Sequence, residues 1–242
     1  MKLVFNAHPG INYKKYEFPY CIYCIKESID SYNDIYSRGF LPYSNDLSNN
    51  EEIYYLARSV RIELEHCKWN HNQKSILNKF EKTYNNDFLK LEIHPKEKFI
   101  TDEFFLNWCI NNAKNGFLPQ DRQRLSYILS RPYLKNIMKI SYNDDILAFL
   151  YLVCEKNMLI HTWFSFYDFS KNENNFGKWI LLKTIEWAKS QNYSFFYIGT
   201  CYGEKAFYKL TLGSSTKYFD GKQWNENISE LKKHLKTENI EN

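Results

Sequence analysis

NIMKISYNDDILAFLYLVCEKNMLIHTWFSFYD, residues 136–168, decides the architecture of the 242-residue chain. Its apolar runs are rich in β-branched and aromatic residues, and Asn143-Asp144-Asp145 supplies the small polar residues of a tight hairpin turn. The stretch reads as a strand, that turn and two further strands. Downstream, GKWILLKTIEWAKSQN (177–192) sets Ile180, Leu181, Thr184, Ile185 and Ala188 at helical spacing, facing inward. YSFFYIGT (193–200) reads as a buried strand, EKAFYKLTL (204–212) as a short helix or turn, and TKYFDGKQW (216–224) as a last strand. The order from 136 to 224 is therefore β-β-β-α-β-α-β.

Upstream the signals are shorter. Residues 1–50 read as strand and irregular structure, with a short helix near 24–37 followed by the polar loop SRGFLPYSNDLSNN. EIYYLARSVRIELEHC (52–67) reads as one or two strands, with Val60, Ile62 and Leu64 alternating. NHNQKSILNKFEKTY (70–84) is a helix with Asn70 or Asn72 as its cap. DEFFLNWCINNAKNG (102–116) is an amphipathic helix that starts near Asp102, buries Phe105, Trp108 and Cys109, and ends at Gly116. A basic segment (120–139) follows, and ISELKKHLKTENIEN reads as a polar tail with a frayed end.

A 44% hydrophobic content suits a globular chain with a sizeable core. No apolar run approaches the roughly 18 residues that would cross a bilayer. MKLVFNAHPG lacks the apolar region and cleavage site of a secretion signal, so a cytoplasmic location is expected; the chain is also expected to be a monomer. The six cysteines are expected to be reduced and buried rather than paired. Lys, Asn, Ile and Tyr are abundant, as codon bias in an AT-rich genome would make them, whereas arginine is confined to positions 38, 58, 61, 122, 124 and 131. A retained arginine among so many lysines points to planar, bidentate anion sites. The formal charge of +4 implies no nucleic-acid partner by itself.

The strand–helix order resembles the core of the acetyltransferase-like (GNAT) fold, in which a V-shaped gap between central strands holds an acyl donor. The resemblance implies a mixed α/β sheet flanked by helices at 101–242, with a smaller N-terminal lobe at 1–100. GNAT enzymes that use coenzyme A seat its pyrophosphate on backbone N–H groups at the start of the helix after the central strand. The matching segment here is NENNFGKWILL, where Gly177 is in place, Asn174 replaces a Gln or Arg, and Trp179 stands where a small residue belongs. Trp179 is expected to obstruct the pyrophosphate, which points to a different donor. A coenzyme A-dependent N-acyltransferase is the rival reading.

Four blocks resemble the aminoacyl-tRNA–protein transferases, the arginyl-transferring enzymes and their bacterial leucyl-transferring relatives. PYCIYCIKESIDSYNDIYSRGFLP carries C-x-x-C and then Arg38-Gly39-Phe40. ARSVRIELEHCKWNHNQKSILNKF carries Arg61, Gln73 and Lys74. TWFSFYDFSKNENNFGKWILLKTIEWAK is similar to the family's Y-Y-D, L-G-x-Y and helix. YSFFYIGTCYGEKAFYKLTLGSSTKYFDGKQW is similar to its Y-x-G-Y-x-I, Y-K and closing Trp. The blocks span nearly the whole chain in order. They imply an aminoacyltransferase that moves an amino acid from aminoacyl-tRNA to the amine of a protein N-terminus, a peptide or a small molecule, with no membrane partner. Members that hold a metal or iron–sulfur cluster add a second cysteine pair before the Arg-bearing strand. Here that place reads Tyr54-Tyr55-Leu56-Ala57, so no zinc or iron–sulfur cofactor is expected at Cys21 and Cys24.

Aminolysis of an activated ester needs positioned partners, a proton acceptor and a stabilised oxyanion. The backbone around Trp163–Phe166 is the expected oxyanion donor. Asp168, or a water chain through Tyr167 and Tyr208, is the candidate base, and Lys209 would neutralise the terminal phosphate or assist the leaving ribose. The tRNA-binding candidates are Arg58, Arg61, Lys68, Gln73, Lys74, Arg122, Arg124 and Arg131, with Trp69 or Trp179 to stack the terminal adenine. A non-catalytic tRNA- or degron-binding relative is the third reading.

Overall fold

The computed structural model describes residues 1–7, 20–44, 51–113, 121–171 and 173–237. In chain order the elements are β1 (Lys2–Asn6), β2 (Cys21–Ile25), α1 (Tyr32–Ser37), β3 (Phe40–Pro42), β4 (Ile53–Leu56), β5 (Ser59–Glu63), α2 (His71–Glu81) and β6 (Leu89–Pro95). They continue with α3 (Glu103–Asn111), α4 (Arg122–Ser130), β7 (Asn136–Tyr142), β8 (Asp145–Glu155), β9 (Leu159–Tyr167) and α5 (Phe176–Ser190). The chain closes with β10 (Phe195–Thr200), a 3₁₀ turn at Glu204–Thr211, β11 (Thr216–Phe219), β12 (Trp224–Asn225) and α6 (Ile228–Thr237).

Eight strands share one sheet in the order β12-β11-β5-β10-β9-β8-β7-β6, and four share a smaller one, β1-β2-β4-β3. In the large sheet β9 and β10 run parallel, while every other neighbour is antiparallel. The β7–β8 hairpin turns through Asn143 and Asp144 at φ 47° and 70°, a conformation that Asn and Asp tolerate better than most residues. The mixed sheet flanked by helices is the GNAT-like arrangement expected from the strand order.

One face of the sheet is apolar and carries α5, α2 and α6. Ile180, Leu181, Thr184, Ile185 and Ala188 all turn inward, and the Thr184 hydroxyl is satisfied by the Ile180 carbonyl at 2.8 Å. Trp179 is fully buried and packs on both Phe80 of α2 and Tyr84, at centroid distances of 5.1 and 4.9 Å. Truncating so large a buried ring costs roughly 3–5 kcal/mol, so Trp179 is a principal weld between α5 and α2.

The opposite face carries α3 and α4 over β7 and β8, and the small sheet with α1 over β9 and β10. Tyr36 of α1 packs edge-on against Tyr197 of β10 at 4.9 Å. Gly39 ends α1 at φ +84°, and a Cβ there would lie 2.2 Å from the Phe219 ring. The Ser59 hydroxyl donates to the Gly39 carbonyl at 2.7 Å, and Trp224 Nε1 donates to the Ser37 carbonyl at 2.7 Å. The Arg38-Gly39-Phe40 motif thus joins the small sheet to the rim of the large one.

Several elements differ from their sequence reading. Residues 21–25 form a strand, not the start of a helix, because β2 is paired on both edges, with β1 and β4. Phe40–Pro42, expected in a loop, is strand β3 paired with β4. Residues 59–95 contribute β5, α2 and β6 to the large body, although they lie within the first hundred residues. The polar tail is helical as α6, because Leu231 and Leu235, four apart, are buried in the main core. Helix α3 stops at Asn111, and Gly116 lies outside the described residues, as does the end of the tail. No helix among the described residues is long and apolar enough to cross a membrane.

Candidate active site

The parallel pairing of β9 with β10 runs only from Phe195↔Leu159 to Tyr197↔His161. Beyond it β10 shifts register against β5 between Tyr197 and Gly199, with Gly199 at φ +93°. The register of β9 against β8 shifts between Tyr151 and Leu152, leaving Trp163 as the extra residue of a bulge. The two strands part, and the β10-facing edge of β9 from 162 to 167 has no partner strand among the described residues. Such an edge leaves unpaired backbone groups of β9 facing the gap.

Two side chains the sequence did not bring together close the apex of this gap. His161 is 2% exposed, and its Nδ1 shares a 2.9 Å hydrogen bond with the Tyr36 hydroxyl, which fixes the ring and turns Nε2 toward Gly199. Lys209 reaches the same point from the 3₁₀ turn, donating from Nζ to the Thr200 carbonyl at 2.6 Å. Lys209 Nζ and His161 Nε2 lie 3.6 and 3.8 Å from where a Gly199 Cβ would sit, ordinary contact distances, so it is the backbone φ of +93° and not crowding that calls for glycine here. Burial, with the Lys209 charge adding to it, pushes His161 down to about 3. Burial also pulls Lys209 down to about 8, against a small opposing effect of the Cys201 thiol. His161 is thus a neutral, oriented hydrogen-bonding group at neutral pH, and Lys209 an amine that changes charge just above it. A histidine inside an apolar strand, LIHTWF, was the available signal, but it becomes informative only once Tyr36 and Gly199 are placed beside it.

The other catalytic candidates are distributed differently. Tyr208 is exposed and adjacent to Lys209 in the chain, with its carbonyl held by the Thr211 hydroxyl at 2.8 Å. Asp168 is committed to a turn: its Oδ1 accepts from the Ser170 N–H at 2.9 Å and the Ser170 hydroxyl at 2.7 Å. The turn fixes the carboxylate through Oδ1. Tyr167 stacks on Phe169 and lies against the first turn of α5, where a Gly177 Cβ would meet its ring and hydroxyl at 2.9–3.1 Å. Gly177 therefore admits a tyrosine ring. Tyr167 covers the helix start on which a pyrophosphate would rest, while Trp179, expected to do so, points into the core. The burial of Trp179 also removes it as a stacking platform; Trp69 remains half-exposed, its Nε1 bonded to Glu186 at 3.2 Å.

Most of the arginines serve the fold. Arg61 is buried, with Nη2 on Glu63 at 3.1 Å, Nη1 on the Tyr197 hydroxyl at 3.5 Å, and its plane over Trp224 and Phe195 at 4.1 and 4.4 Å. Arg131 is 3% exposed and donates to the Glu51 carbonyl over the rings of Tyr127 and Tyr133. Arg122 forms a fork with Glu103 at 2.6 and 2.7 Å, and that pair raises its already high pKa. Arg124 bonds Ser44 at 3.2 Å, and Arg58 bonds the Cys201 carbonyl at 3.3 Å and lies over Tyr202. Gln73 is buried, closing the capping box of α2 with Asn70 and donating to the Thr211 carbonyl at 2.6 Å. The expected phosphate-binding roles of Arg61, Arg131 and Gln73 are thereby corrected, since none presents a free face. Lys68 and Lys74 are exposed.

Cys21 and Cys24 sit three apart on an unbroken strand, so alternation sends their thiols to opposite faces. The Cys24 thiol contacts the Met1 sulfur at 3.3 Å, and burial raises its pKa to about 11. Among the described residues no group of three or more His, Cys, Asp or Glu side chains is placed to hold a metal.

No protein-family model matches this chain, and no curated protein matches it. Solved structures are similar over part of it. The C-terminal domain (DUF2156) of a protein assigned as a lysylphosphatidylglycerol synthetase from Agrobacterium fabrum aligns at 13% identity and TM-score 0.42, covering 60% of this chain and 46% of that one. L-PGS from Bacillus licheniformis aligns at 15% identity and TM-score 0.42, covering 59% and 44%. A conserved protein of unknown function from Bacteroides thetaiotaomicron aligns at 18% identity and TM-score 0.41, covering 60% and 50%. This chain thus spans half or less of the length of each.

Proposed function

We propose that the chain is an aminoacyltransferase that uses aminoacyl-tRNA as donor and an amine as acceptor, with the reaction in the gap between β9 and β10. One observation carries the reading: the strands part beside a partly accessible, low-pKa lysine, while Tyr167 covers the helix start a coenzyme A pyrophosphate would need. Four sequence blocks resembling aminoacyl-tRNA–protein transferases supply the donor class.

In this reading the ester carbonyl lies along the free edge of β9, and its developing oxyanion is taken by backbone N–H groups of the 163–166 segment. The acceptor amine attacks the carbonyl carbon, forming the new C–N bond. Neutral Lys209 takes the proton the amine sheds and returns it to the departing ribose oxygen as the C–O bond breaks. A lysine near 8 suits both tasks, being able to lose and regain a proton close to neutral pH. His161, neutral and held by Tyr36, positions Lys209 without itself titrating. Tyr208, exposed and adjacent to Lys209 in the chain, contacts the incoming acceptor.

The test is transfer of label from tRNA charged with one amino acid at a time. Acceptors are peptides with free N-termini, small amines and, because one similar structure bears the name lysylphosphatidylglycerol synthetase, phosphatidylglycerol vesicles. Acetyl-CoA runs in parallel as the competing donor. Label moving from one tRNA pool to an amine is the expected result and names the amino acid. Label reaching only the lipid would overturn the acceptor and keep the donor. Consumption of acetyl-CoA alone would overturn the donor.

A further inference from the structure

Strands β9 and β10 part after Tyr197↔His161, so something other than strand pairing sets the spacing between Lys209 and the free edge of β9. Both sides of the gap bear on one place, the first turn of α5. On the β9 side the Tyr167 ring lies against Gly177, where a Cβ would meet it at 2.9 Å. On the other side Lys178 Nζ donates at 3.1 Å to the hydroxyl of Thr211, two residues past Lys209. That hydroxyl donates in turn to the Tyr208 carbonyl at 2.8 Å, so the bond from α5 is relayed to the backbone immediately before Lys209.

A second helix holds the same threonine. Gln73 Nε2 donates to the Thr211 carbonyl at 2.6 Å. Gln73 Oε1 is taken by the Asn70 N–H of the α2 capping box, which leaves the amide one orientation, its donor end toward the turn. Thr211 is thus gripped by α5 through its side chain and by α2 through its backbone, while Ala206 and Leu210 bury the inner face of the turn.

Lys178 sits there against two opposing effects. It is the third residue of α5, where a cation opposes the helix dipole, and burial lowers its pKa below the ordinary lysine value. Neither the helix start nor the burial favours an ammonium at this position; the Thr211 contact does.

We infer that Lys178 is a positioning residue: with Thr211 it forms a brace that ties the first turn of α5 to the Lys209 turn and fixes the width of the gap. The inference rests on the reading of Lys209 as the proton acceptor and goes beyond it by naming what holds that amine in place. The test is an NMR pH titration of full-length protein labelled at the lysine ε-carbons, with the Lys209 signal assigned by its loss in Lys209→Met. Steady-state transfer is measured beside it. Three variants at these half-buried positions are compared with the wild type. Thr211→Val keeps the side-chain shape and loses the hydroxyl, Thr211→Ser keeps the hydroxyl, and Lys178→Met keeps an unbranched chain and loses the ammonium.

Wild-type Lys209 should titrate at about 8. In Thr211→Val and Lys178→Met the slackened turn admits water to the amine, and the midpoint should rise by about 1 unit toward the ordinary lysine value. The same two variants should lose about tenfold or more in kcat with KM little changed, because the acceptor of the proton is no longer held in place. Thr211→Ser should match the wild type in both readouts. Unmoved midpoints in folded Thr211→Val and Lys178→Met would overturn the brace, as would equal shifts in the Val and Ser variants. The titration needs no substrate, so it separates the two readings. Shifted midpoints in a protein that transfers no amino acid would uphold the brace and sink the reaction; transfer with unmoved midpoints would do the reverse.

Discussion

Arg61 and Lys209 flank the same strand, β10, and meet opposite fates. The Arg61 guanidinium has a carboxylate, a phenol and two aromatic faces around it, and only its Nε lacks a partner among the described residues. Lys209 has one carbonyl at 2.6 Å, a neutral imidazole nearby, and a gap in front of it. A buried charge enclosed by partners holds two parts of a fold together. A half-buried charge left with spare hydrogen-bonding capacity beside a parted strand is available to a substrate. The comparison separates structure from chemistry more sharply than residue type does, since both are basic residues from the blocks that resemble the transferase family.

The largest effect expected is on the enclosed side. Arg61→Ala removes the partner of Glu63 and Tyr197 and the cation between Phe195 and Trp224, and should cost roughly 3–5 kcal/mol of stability. Chemical denaturation should show that loss with the turnover of the folded fraction retained; a midpoint shift within error of wild type would make Arg61 a surface-binding residue after all. Lys209→Met reverses the pattern. Relieved of a desolvated amine, the variant should be at least as stable as wild type, yet lose roughly 10²-fold or more in transfer rate. An active Lys209→Met protein would remove the lysine from the reaction and with it the distinction drawn here.

Legibility in the sequence followed the same divide. The apolar face of α5 and the three strands before it were readable because a period of 3.6 or 2 leaves its mark on every residue. The enclosed residues were visible as motifs but their role was not. Arg61, Gln73 and Arg131 looked like an anion-binding set because scarcity of arginine is compatible with any planar contact, including one inside the core. Gln73 stands three residues after Asn70, the spacing of a capping box, and that local reading proves the stronger one. His161 was unreadable as part of a site because its meaning rests on Tyr36, 125 residues away in the chain. The gap itself depends on a bulge and a positive-φ glycine, neither of which has a periodic signature.

The pH response gives the next test, of intermediate size. As base, Lys209 must be neutral, so the rate should rise with pH and level off above about 8, tenfold per unit on the acid side. Stability moves with its own sign. The unfolded chain binds a proton at Lys209 that the folded chain has released between about 8 and the ordinary 10.5, so this group makes the fold more stable as pH climbs through that window. His161 acts lower: its folded value of about 3 against an ordinary 6.5 means that stability is lost progressively as pH falls through that interval. His161→Gln should flatten the acid limb of stability. Because it loosens the lysine, it should also move the inflection in rate, which a purely structural histidine would leave in place. An unmoved inflection in a folded His161→Gln protein would reduce His161 to core packing.

The smallest effect concerns the covered end of α5. If Tyr167 is what denies that helix start to a pyrophosphate, wild-type protein should show no coenzyme A binding by titration calorimetry. Tyr167→Ala should then gain a weak affinity, with a Kd of about 1 mM or about −4 kcal/mol, the scale of a few backbone contacts without a shaped pocket around them. Micromolar binding to the wild type would mean that the tyrosine swings aside. The gap beside Lys209 would then be open to a coenzyme A thioester, and the donor would have to be decided by the reaction rather than by the ring. Absence of binding to both proteins would place the obstruction deeper, in the Phe176–Gly177 turn itself, and leave the lysine gap as the part of the comparison that still distinguishes an open charge from an enclosed one.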